Sequence, residues 1–155
     1  MTKEVFIVAA TAAARESSAT SGLPPGVTVA QAALERAWGR SQLARQANNY
    51  FGIKARAGAP EFAEFPTWEL MDGKPVRVTA RFARFDSMAA CFRERDRMIN
   101  QLPAYAQAKL AAADAEAFIR ALARRWATDP RYAEKLLGIY REAGLAQLDA
   151  PPAQD

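Results

Sequence analysis

The sequence contains no histidine and only one cysteine, Cys91, among its 155 residues. Without histidine, neither a Ser–His or Cys–His nucleophilic site nor the usual histidine-containing zinc site of a hydrolase can be assembled. A single cysteine excludes an intrachain disulfide, and its apolar-rich helical surroundings favour a small core residue over a nucleophile. Any hydrolytic chemistry must therefore use carboxylates, tyrosines or lysines, and the sequence implies neither a metal nor an organic cofactor.

The sequence also has no apolar run long enough to span a bilayer. Residues 5–14 have the length of the apolar core of a signal peptide, but Glu4 interrupts the basic segment that should precede it. The apolar side chains in this stretch fit one face of a helix. They are Phe6, Ile7, Ala10, Ala13 and Ala14. We therefore expect a folded first helix rather than a signal peptide.

Positive charge is in modest excess, with a net charge of +4 and a pI of about 9.5. This excess favours an anionic partner, and nucleic acid, a membrane surface and a cell-wall polymer all qualify. The arginines are scattered and no aromatic RNA-reading signature accompanies them, so we expect no nucleic-acid binding. The length suits one domain. We assign it to residues 1–148, followed by a loose tail at 149–155, and we expect a monomer.

Helical patterns cover most of the chain. The predicted helices span 2–18, 28–39, 41–48, 86–102, 104–113, 114–126 and 130–143. Thr28 and Gln31 match a capping box at the start of the second helix. Ser41 and Asp114 are candidate N-caps, and Pro130 suits the first helical position. Residues from Leu145 onward look like the beginning of the loose tail.

One segment has the pattern of a β-hairpin. Two extended stretches, 65–71 and 74–82, flank Asp72-Gly73, which is a favoured two-residue hairpin turn. In the second stretch apolar and polar or basic residues alternate, so one face is apolar and the other basic. The predicted fold class is therefore α+β, mainly α, with one β-hairpin.

Glu35 lies beside the apolar stripe of the second helix, which consists of Ala30, Ala33, Leu34 and Ala37. Gln31 and Trp38 lie four residues before it and three after it. A carboxyl group at the rim of an apolar face, beside an indole, loses hydration in its charged form, which suits a general acid near neutral pH. The alternative is a surface glutamate paired with Arg36 or Arg40. Spacing alone favours that alternative.

Longer strings around Glu35 resemble a known family. They are GLP at 22–24, VTVAQAALE at 27–35, WGRS at 38–41, NNYFGIK at 48–54, PTWE at 66–69, FARFDS at 82–87 and ATDPRYAEKL at 127–136. In this order and spacing they resemble the bacterial glucosaminidases of glycoside hydrolase family 73, which include flagellar peptidoglycan hydrolases and many autolysins. The resemblance covers nearly the whole chain.

The resemblance implies a lysozyme-like fold and a glycan substrate of N-acetylglucosamine and N-acetylmuramic acid. It places the catalytic glutamate of the family at Glu35 and a second acidic residue of the hairpin at Glu69, with Glu64 and then Glu61 as less favoured candidates. The tyrosine of the family matches Tyr132. Peptidoglycan strands are the implied partner, so the chain is expected to act in the bacterial cell wall or periplasm. Without a clear signal peptide it would be exported by another route, in a phage, secretion-system or flagellar setting.

Two positions depart from the family pattern. Arg36-Ala37 stands where the family usually has Ser-Gly, and an arginine folding back on Glu35 would oppose its role as an acid. Arg95 stands near the place of a histidine in the helix after the hairpin. The resemblance therefore implies either that this histidine is dispensable here or that the enzyme is impaired.

The roles of the remaining candidates stay open. Glu69 could activate water or stabilise an oxocarbenium-like centre, or the 2-acetamido group of the substrate could replace it as nucleophile. Tyr132 either orients that acetamido group or is a core residue. Four residues fit a substrate-binding cleft wall, although turn formation and core packing are the alternative explanations. They are Asn48, Asn49, Phe51 and Gly52. Gln31 and Trp38, beside Glu35, complete the substrate-binding prediction.

The leading hypothesis is an endo-β-N-acetylglucosaminidase that cleaves β-1,4 bonds of peptidoglycan, with Glu35 as general acid. N-acetylmuramidase or lytic transglycosylase activity on the other glycosidic bond is the neighbouring alternative. A glycan-binding or flagellar rod-assembly module that no longer cuts is a third, motivated by Arg36.

Overall fold

The computed structural model describes residues 1–150, in which helices predominate and one antiparallel hairpin is inserted. The helices are α1 (Lys3–Ser21), α2 (Pro25–Glu35), α3 (Gln42–Ala47), α4 (Met88–Gln101), α5 (Ala106–Leu110), α6 (Ala115–Trp126), α7 (Tyr132–Glu142) and α8 (Ala146–Asp149). The strands are β1 (Phe62–Met71) and β2 (Lys74–Ala83), and short 3-10 turns occupy Ala37–Gly39 and Pro103–Tyr105. The predicted α+β class, mainly α, is confirmed.

Helix α2 forms the centre of the core. Every residue from Gly26 to Ala33 is buried, and α1, α7 and α8 pack around it. The helix begins at Pro25, earlier than predicted, because proline suits the first helical position. Thr28 therefore lies inside the helix and its hydroxyl donates to the carbonyl oxygen of Pro24 at 3.2 Å, so the predicted capping box is wrong.

Helix α2 ends at Glu35 rather than at the predicted Gly39. Arg36 leaves helical geometry (φ −128°), and Ala37 and Trp38 both adopt positive φ. Helical periodicity therefore stops at Glu35, and Ala37, predicted to be in the buried stripe, is exposed. The chain turns back so that the Trp38 ring packs edge-to-face on Phe6, with ring centroids 6.1 Å apart.

Helix α1 packs on α2 and α4. Its buried face carries Phe6, Ala10, Ala13 and Ala14, as the sequence pattern predicts, and Ile7 is partly buried beside them. The prediction of a folded first helix is confirmed. Within residues 1–150, no helix combines the length and apolarity that a bilayer crossing requires.

The hairpin turns at Asp72-Gly73, and both residues have positive φ, as a two-residue type I′ turn requires. Strand pairing extends from Met71–Lys74 to Phe62–Ala83, so both strands are longer than predicted. The predicted apolar face is buried only at the base of the hairpin. There Phe82 and Ala63 pack on Leu43 and Ala47, while the tip of the hairpin projects into solvent.

Side-chain caps hold several helix starts. Ser41 accepts from the backbone N–H of Ala44, and Asp114 accepts from that of Ala117, both at 3.1 Å, which confirms these two caps. The last long helix differs from its prediction. It begins at Tyr132 because Asp129 accepts from the N–H of Arg131 and holds the two preceding residues in a turn.

Residues 145–149 are not the loose tail that the sequence suggests. Leu145 is buried, and α8 packs on α2. Asp149 accepts from the Gly26 N–H at 2.7 Å and from the Tyr140 hydroxyl at 2.8 Å. A polar contact across 123 residues is invisible to local sequence patterns, which is why the prediction is wrong here. The remaining predicted tail, 151–155, lies outside the described residues.

Gly26 permits this docking of the C-terminal segment. A Cβ atom at Gly26 would overlap the carbonyl oxygen of Leu145, which belongs to the backbone and cannot rotate away. Gly26→Ala is expected to lower the free energy of unfolding in urea by about 1–3 kcal/mol, typical of overpacking. Gly138→Ala is the matched control because its Cβ meets open space within α7, so the alanine should stabilise by roughly 0.5–1 kcal/mol. Equal stability of the two variants would contradict this packing.

Cys91 is buried in α4, and its sulfur accepts from the N–H of Tyr50 at 3.3 Å. Burial raises the pKa of the Cys91 thiol to about 12. The reactive thiolate is therefore scarce at neutral pH. We expect mass spectrometry to detect no iodoacetamide adduct in the native protein and full labelling in urea. Rapid native labelling would contradict the core assignment.

Candidate active site

The end of α2 opens into a cleft of about 820 Å³, bounded by the loop after α3, strand β1 and the residues that follow α6. Glu35 and Arg36 line it at the end of α2, and Glu69 lines it on the hairpin strand β1. Phe51, Gly52, Ile53 and Lys54 form the loop wall. Part of the site is therefore rigid, since it belongs to the core, and part is on a solvent-exposed hairpin.

Glu35 is half-buried, and its carboxylate accepts a hydrogen bond from a residue outside the cleft lining. Tyr132, the first residue of α7, donates its hydroxyl to Oε1 of Glu35 at 2.7 Å. Burial, followed by the charge of the Glu35 carboxylate, raises the pKa of Tyr132 far above its ordinary value. The phenol therefore keeps its proton and acts as a fixed donor to one carboxylate oxygen.

Arg36 lines the cleft without pairing with Glu35, since the structure records no ion pair between these two described residues. Its guanidinium group packs against Gly52, where a Cβ atom would collide with Nη2. Gly52 also has positive φ (68°), so both the space taken by Arg36 and the backbone conformation favour glycine at this position. Burial lowers the pKa of Arg36, and the neighbouring Glu35 partly offsets this effect. The departure at Arg36 is thus accommodated by the loop wall.

Of the three acidic candidates from the hairpin segment, Glu69 shares the cleft with Glu35. Its Oε1 is 2.6 Å from Nζ of Lys54, and both side chains are substantially exposed. Glu64 instead pairs with Arg81 at 3.6 Å outside the cleft lining. Glu61 lines a neighbouring pocket of about 500 Å³. The geometry favours Glu69, the first choice of the sequence interpretation.

Aromatic side chains contribute more of the cleft than the sequence interpretation expected. Phe51 is nearly buried and packs on Phe92, so it supports the wall as well as lining it. Trp68, Tyr105 and Trp126 also line the cleft, and Trp68 is 63% exposed on the hairpin. An exposed tryptophan next to the candidate second acid was a usable signal. Tyr105 and Trp126 reach the cleft only through tertiary packing.

Four residues predicted to bind substrate lie outside the cleft lining. Gln31 is fully buried behind Tyr132, and Trp38 packs on Phe6. Asn48 ends α3 with positive φ and donates to the carbonyl oxygen of Phe85. These three side chains therefore make packing or hydrogen-bond contacts away from the residues that line the cleft.

Asn49, the fourth of these residues, is fully buried. Its amide donates to the carbonyl oxygens of Ile53 and Ala83 at 2.8 and 2.9 Å, and its Oδ1 accepts from the N–H groups of Phe51 and Ile53. These bonds tie the cleft loop to the base of the hairpin. Asn49 thereby places Phe51 and Gly52, which do line the cleft.

A glutamate at the end of a core helix and a second carboxylate on a β-hairpin line one open cleft, as in a lysozyme-like glycosidase. Residues 11–145 match the family model described as mannosyl-glycoprotein endo-beta-N-acetylglucosaminidase. The chain therefore belongs to this glucosaminidase family.

Known proteins of similar sequence and structure support this family assignment. The peptidoglycan hydrolase FlgJ of Vibrio parahaemolyticus is 36% identical over 88% of this chain and 46% of its own length. A probable N-acetylmuramidase of Lactococcus lactis is 34% identical over 94% of this chain and 35% of its own length. The catalytic domain of the Listeria monocytogenes autolysin Auto superposes with a TM-score of 0.83 at 29% identity, over 94% of this chain and 86% of that domain. The chain spans less than half the length of the Vibrio and Lactococcus relatives. The structural similarity to the autolysin domain confirms the predicted lysozyme-like fold.

Proposed function

We propose that the chain is a peptidoglycan hydrolase, specifically an endo-β-N-acetylglucosaminidase with Glu35 as the general acid. The observation that carries the proposal is the position of Glu35, which accepts a hydrogen bond from Tyr132 and lines the same cleft as Glu69. Most glycoside hydrolases use two carboxyl groups that flank the scissile bond. The names of the relatives, peptidoglycan hydrolase and autolysin, support a cell-wall glycan as substrate.

In the proposed reaction Glu35 donates its proton to the leaving glycosidic oxygen as the bond from C1 to that oxygen breaks. The Tyr132 hydroxyl donates a hydrogen bond to Oε1 of Glu35, so we assign the acidic proton of Glu35 to Oε2. Water then adds to C1 and loses one proton, which passes either directly to Glu35 or to Glu69 and from there through solvent to Glu35, so that the general acid is restored. The phenol of Tyr132 stabilises the Glu35 carboxylate that exists between these two steps.

Glu69 is proposed to act on the opposite side of the sugar. It either activates the attacking water or stabilises positive charge at C1 until the 2-acetamido group or water attacks. The ion pair with Lys54 orients the Glu69 carboxylate, and a substrate amide or hydroxyl can displace an exposed lysine. Trp68, exposed one residue earlier, offers an apolar face for a sugar ring.

The neighbouring candidate is N-acetylmuramidase activity, which the name of the Lactococcus relative favours. Mass spectrometry of purified peptidoglycan that has been digested by the chain and then reduced with borohydride distinguishes glucosaminidase from muramidase activity. We expect reduced N-acetylglucosamine at the new ends. Reduced N-acetylmuramic acid would establish muramidase activity instead, and an anhydro end would establish transglycosylation. A digest indistinguishable from buffer would favour the non-cutting module and contradict the proposal.

The site of action follows from the substrate. We propose that the chain works in the bacterial cell wall or periplasm, reached by a phage, secretion-system or flagellar route, and that it does so as a monomer. A sedimentation experiment on the purified protein tests the last point. The expected mass is that of one 16.9 kDa chain.

A further inference from the structure

A chain of buried polar groups continues behind Tyr132, away from the cleft. The guanidinium of Arg95, a fully buried residue of α4, donates from Nε to Oε1 of Gln31 at 2.9 Å. Nε2 of Gln31 donates to the Tyr132 oxygen at 3.3 Å, and Tyr132 donates to Glu35 at 2.7 Å. Three consecutive bonds therefore connect a buried cation to the proposed general acid.

The direction of these bonds is fixed at the Arg95 end. A guanidinium has only donors, so the Gln31 atom that faces it must be the carbonyl oxygen. The amide nitrogen of Gln31 then faces Tyr132 and donates to the phenol oxygen. With that side of the oxygen occupied by a donor, the phenol proton points to Glu35. A flipped Gln31 amide would accept the phenol proton and remove the donor from Glu35.

We propose that Arg95 is a positioning residue that sets the direction of this hydrogen-bond chain, so that Tyr132 donates to Oε1 of Glu35 and Oε2 is left for the glycosidic oxygen. The inference rests on the proposed function of Glu35. It assigns a function to Arg95, where the family pattern often has a histidine. An arginine serves better than a neutral histidine here, because a neutral imidazole can either donate or accept, whereas an arginine can only donate.

The surroundings of Arg95 hold it in one orientation. Its Nη1 donates to Oδ1 of Asp96 and to the hydroxyl of Thr28, both at 2.8 Å. The guanidinium lies near the rings of Phe51 and Phe118, 5.6 and 5.9 Å from their centroids. A buried ion pair adds little to stability compared with apolar residues of similar volume. Stability alone therefore does not account for this cation, whereas orientation of Gln31 does.

Gln31→Glu tests the direction directly because it keeps the size of the side chain and the contact with Arg95. Both oxygens of the new carboxylate accept, so the phenol proton should turn from Glu35 to residue 31. We expect kcat on peptidoglycan to fall about 10- to 100-fold, the value of one hydrogen bond to a charged group. KM should change little, since Gln31 lies outside the cleft.

A double-mutant cycle with Tyr132→Phe separates direction from charge. If Arg95 and Gln31 act through the phenol, Gln31→Glu costs nothing further in the Tyr132→Phe background. A simple effect of the added negative charge would persist there at full size, which would overturn the proposal. Unchanged kcat in a folded Gln31→Glu single variant would overturn it as well.

Arg95 itself is tested with its charge partner neutralised, so that no lone carboxylate remains buried. In the Asp96→Asn background, Arg95→Met should lower kcat about tenfold or more, whereas Arg95→Lys, which still only donates, should restore most of it. Arg93→Met is the matched control, an exposed arginine on the same helix. Equal kcat for the methionine and lysine variants would contradict the inference. Should the methionine variant not fold, the Gln31→Glu cycle decides. A wild-type chain that cuts no peptidoglycan would instead refute the proposed function.

Discussion

Glu35→Gln is expected to lower the rate of peptidoglycan cleavage by about 100- to 10,000-fold, the usual contribution of a general acid. Glutamine preserves the size of the side chain and can still accept the hydrogen bond from Tyr132, so folding should be retained. What it removes is the transferable proton. Turbidity loss of a peptidoglycan suspension and clearing in a substrate gel both measure the effect.

Glu142→Gln is the matched control because Glu142 ends α7 at an exposed position. Its activity should equal that of the wild type. Thermal melting of the two variants shows whether each is folded. A folded Glu35→Gln protein with wild-type clearing would show that another group supplies the proton.

Glu69→Gln has the second largest expected effect. If Glu69 activates water or stabilises charge at C1, its loss should lower kcat by roughly 100-fold or more, within the range for a positioned carboxylate. Stability should change by less than about 1 kcal/mol, because an exposed ion pair such as that with Lys54 contributes little.

Glu64→Gln provides the comparison for Glu69, since both glutamates lie on β1 and both have a basic partner, but only Glu69 lines the cleft. Glu64→Gln should retain full activity. Near-normal activity of Glu69→Gln would show that the 2-acetamido group of the substrate, rather than Glu69, stabilises or attacks C1. Comparing the activities of these two variants shows whether catalysis requires a carboxylate in the cleft or only a carboxylate on β1.

Local chemistry made several elements predictable from sequence. Asp72-Gly73 accepts positive φ at both positions, which few other residue pairs do, so it fixes the hairpin turn. Ser41 and Asp114 satisfy backbone N–H groups three residues ahead, so helix starts at these residues could be identified. The motif strings identified the family, and the resemblance made Glu35 and Glu69 the candidate acids.

Contacts between distant segments were not predictable. Periodicity placed Trp38 one helical turn from Glu35, but α2 ends at Glu35, and the indole packs on Phe6 instead. Asn49 has the residue type of a sugar ligand, yet all its hydrogen bonds go to the backbone. Asp149 reaches Gly26 across the fold. In each case a contact between segments distant in sequence determines where the side chain lies.

Both departures from the family pattern have a physical explanation in the structure. Arg36 extends along the loop wall over Gly52, which has no side chain to obstruct it. Arg95 is buried with Asp96 and contacts the hydrogen-bond chain to Glu35 through Gln31. Within residues 1–150, neither arginine forms an ion pair with Glu35.

In the proposed mechanism Glu35 supplies the proton that releases the leaving group. A dinitrophenyl glycoside of a short N-acetylglucosamine oligosaccharide tests it directly, because its leaving group departs without protonation. The rate of Glu35→Gln relative to the wild type should recover at least about 100-fold on this substrate compared with peptidoglycan. An equally severe loss on both substrates would contradict the claim.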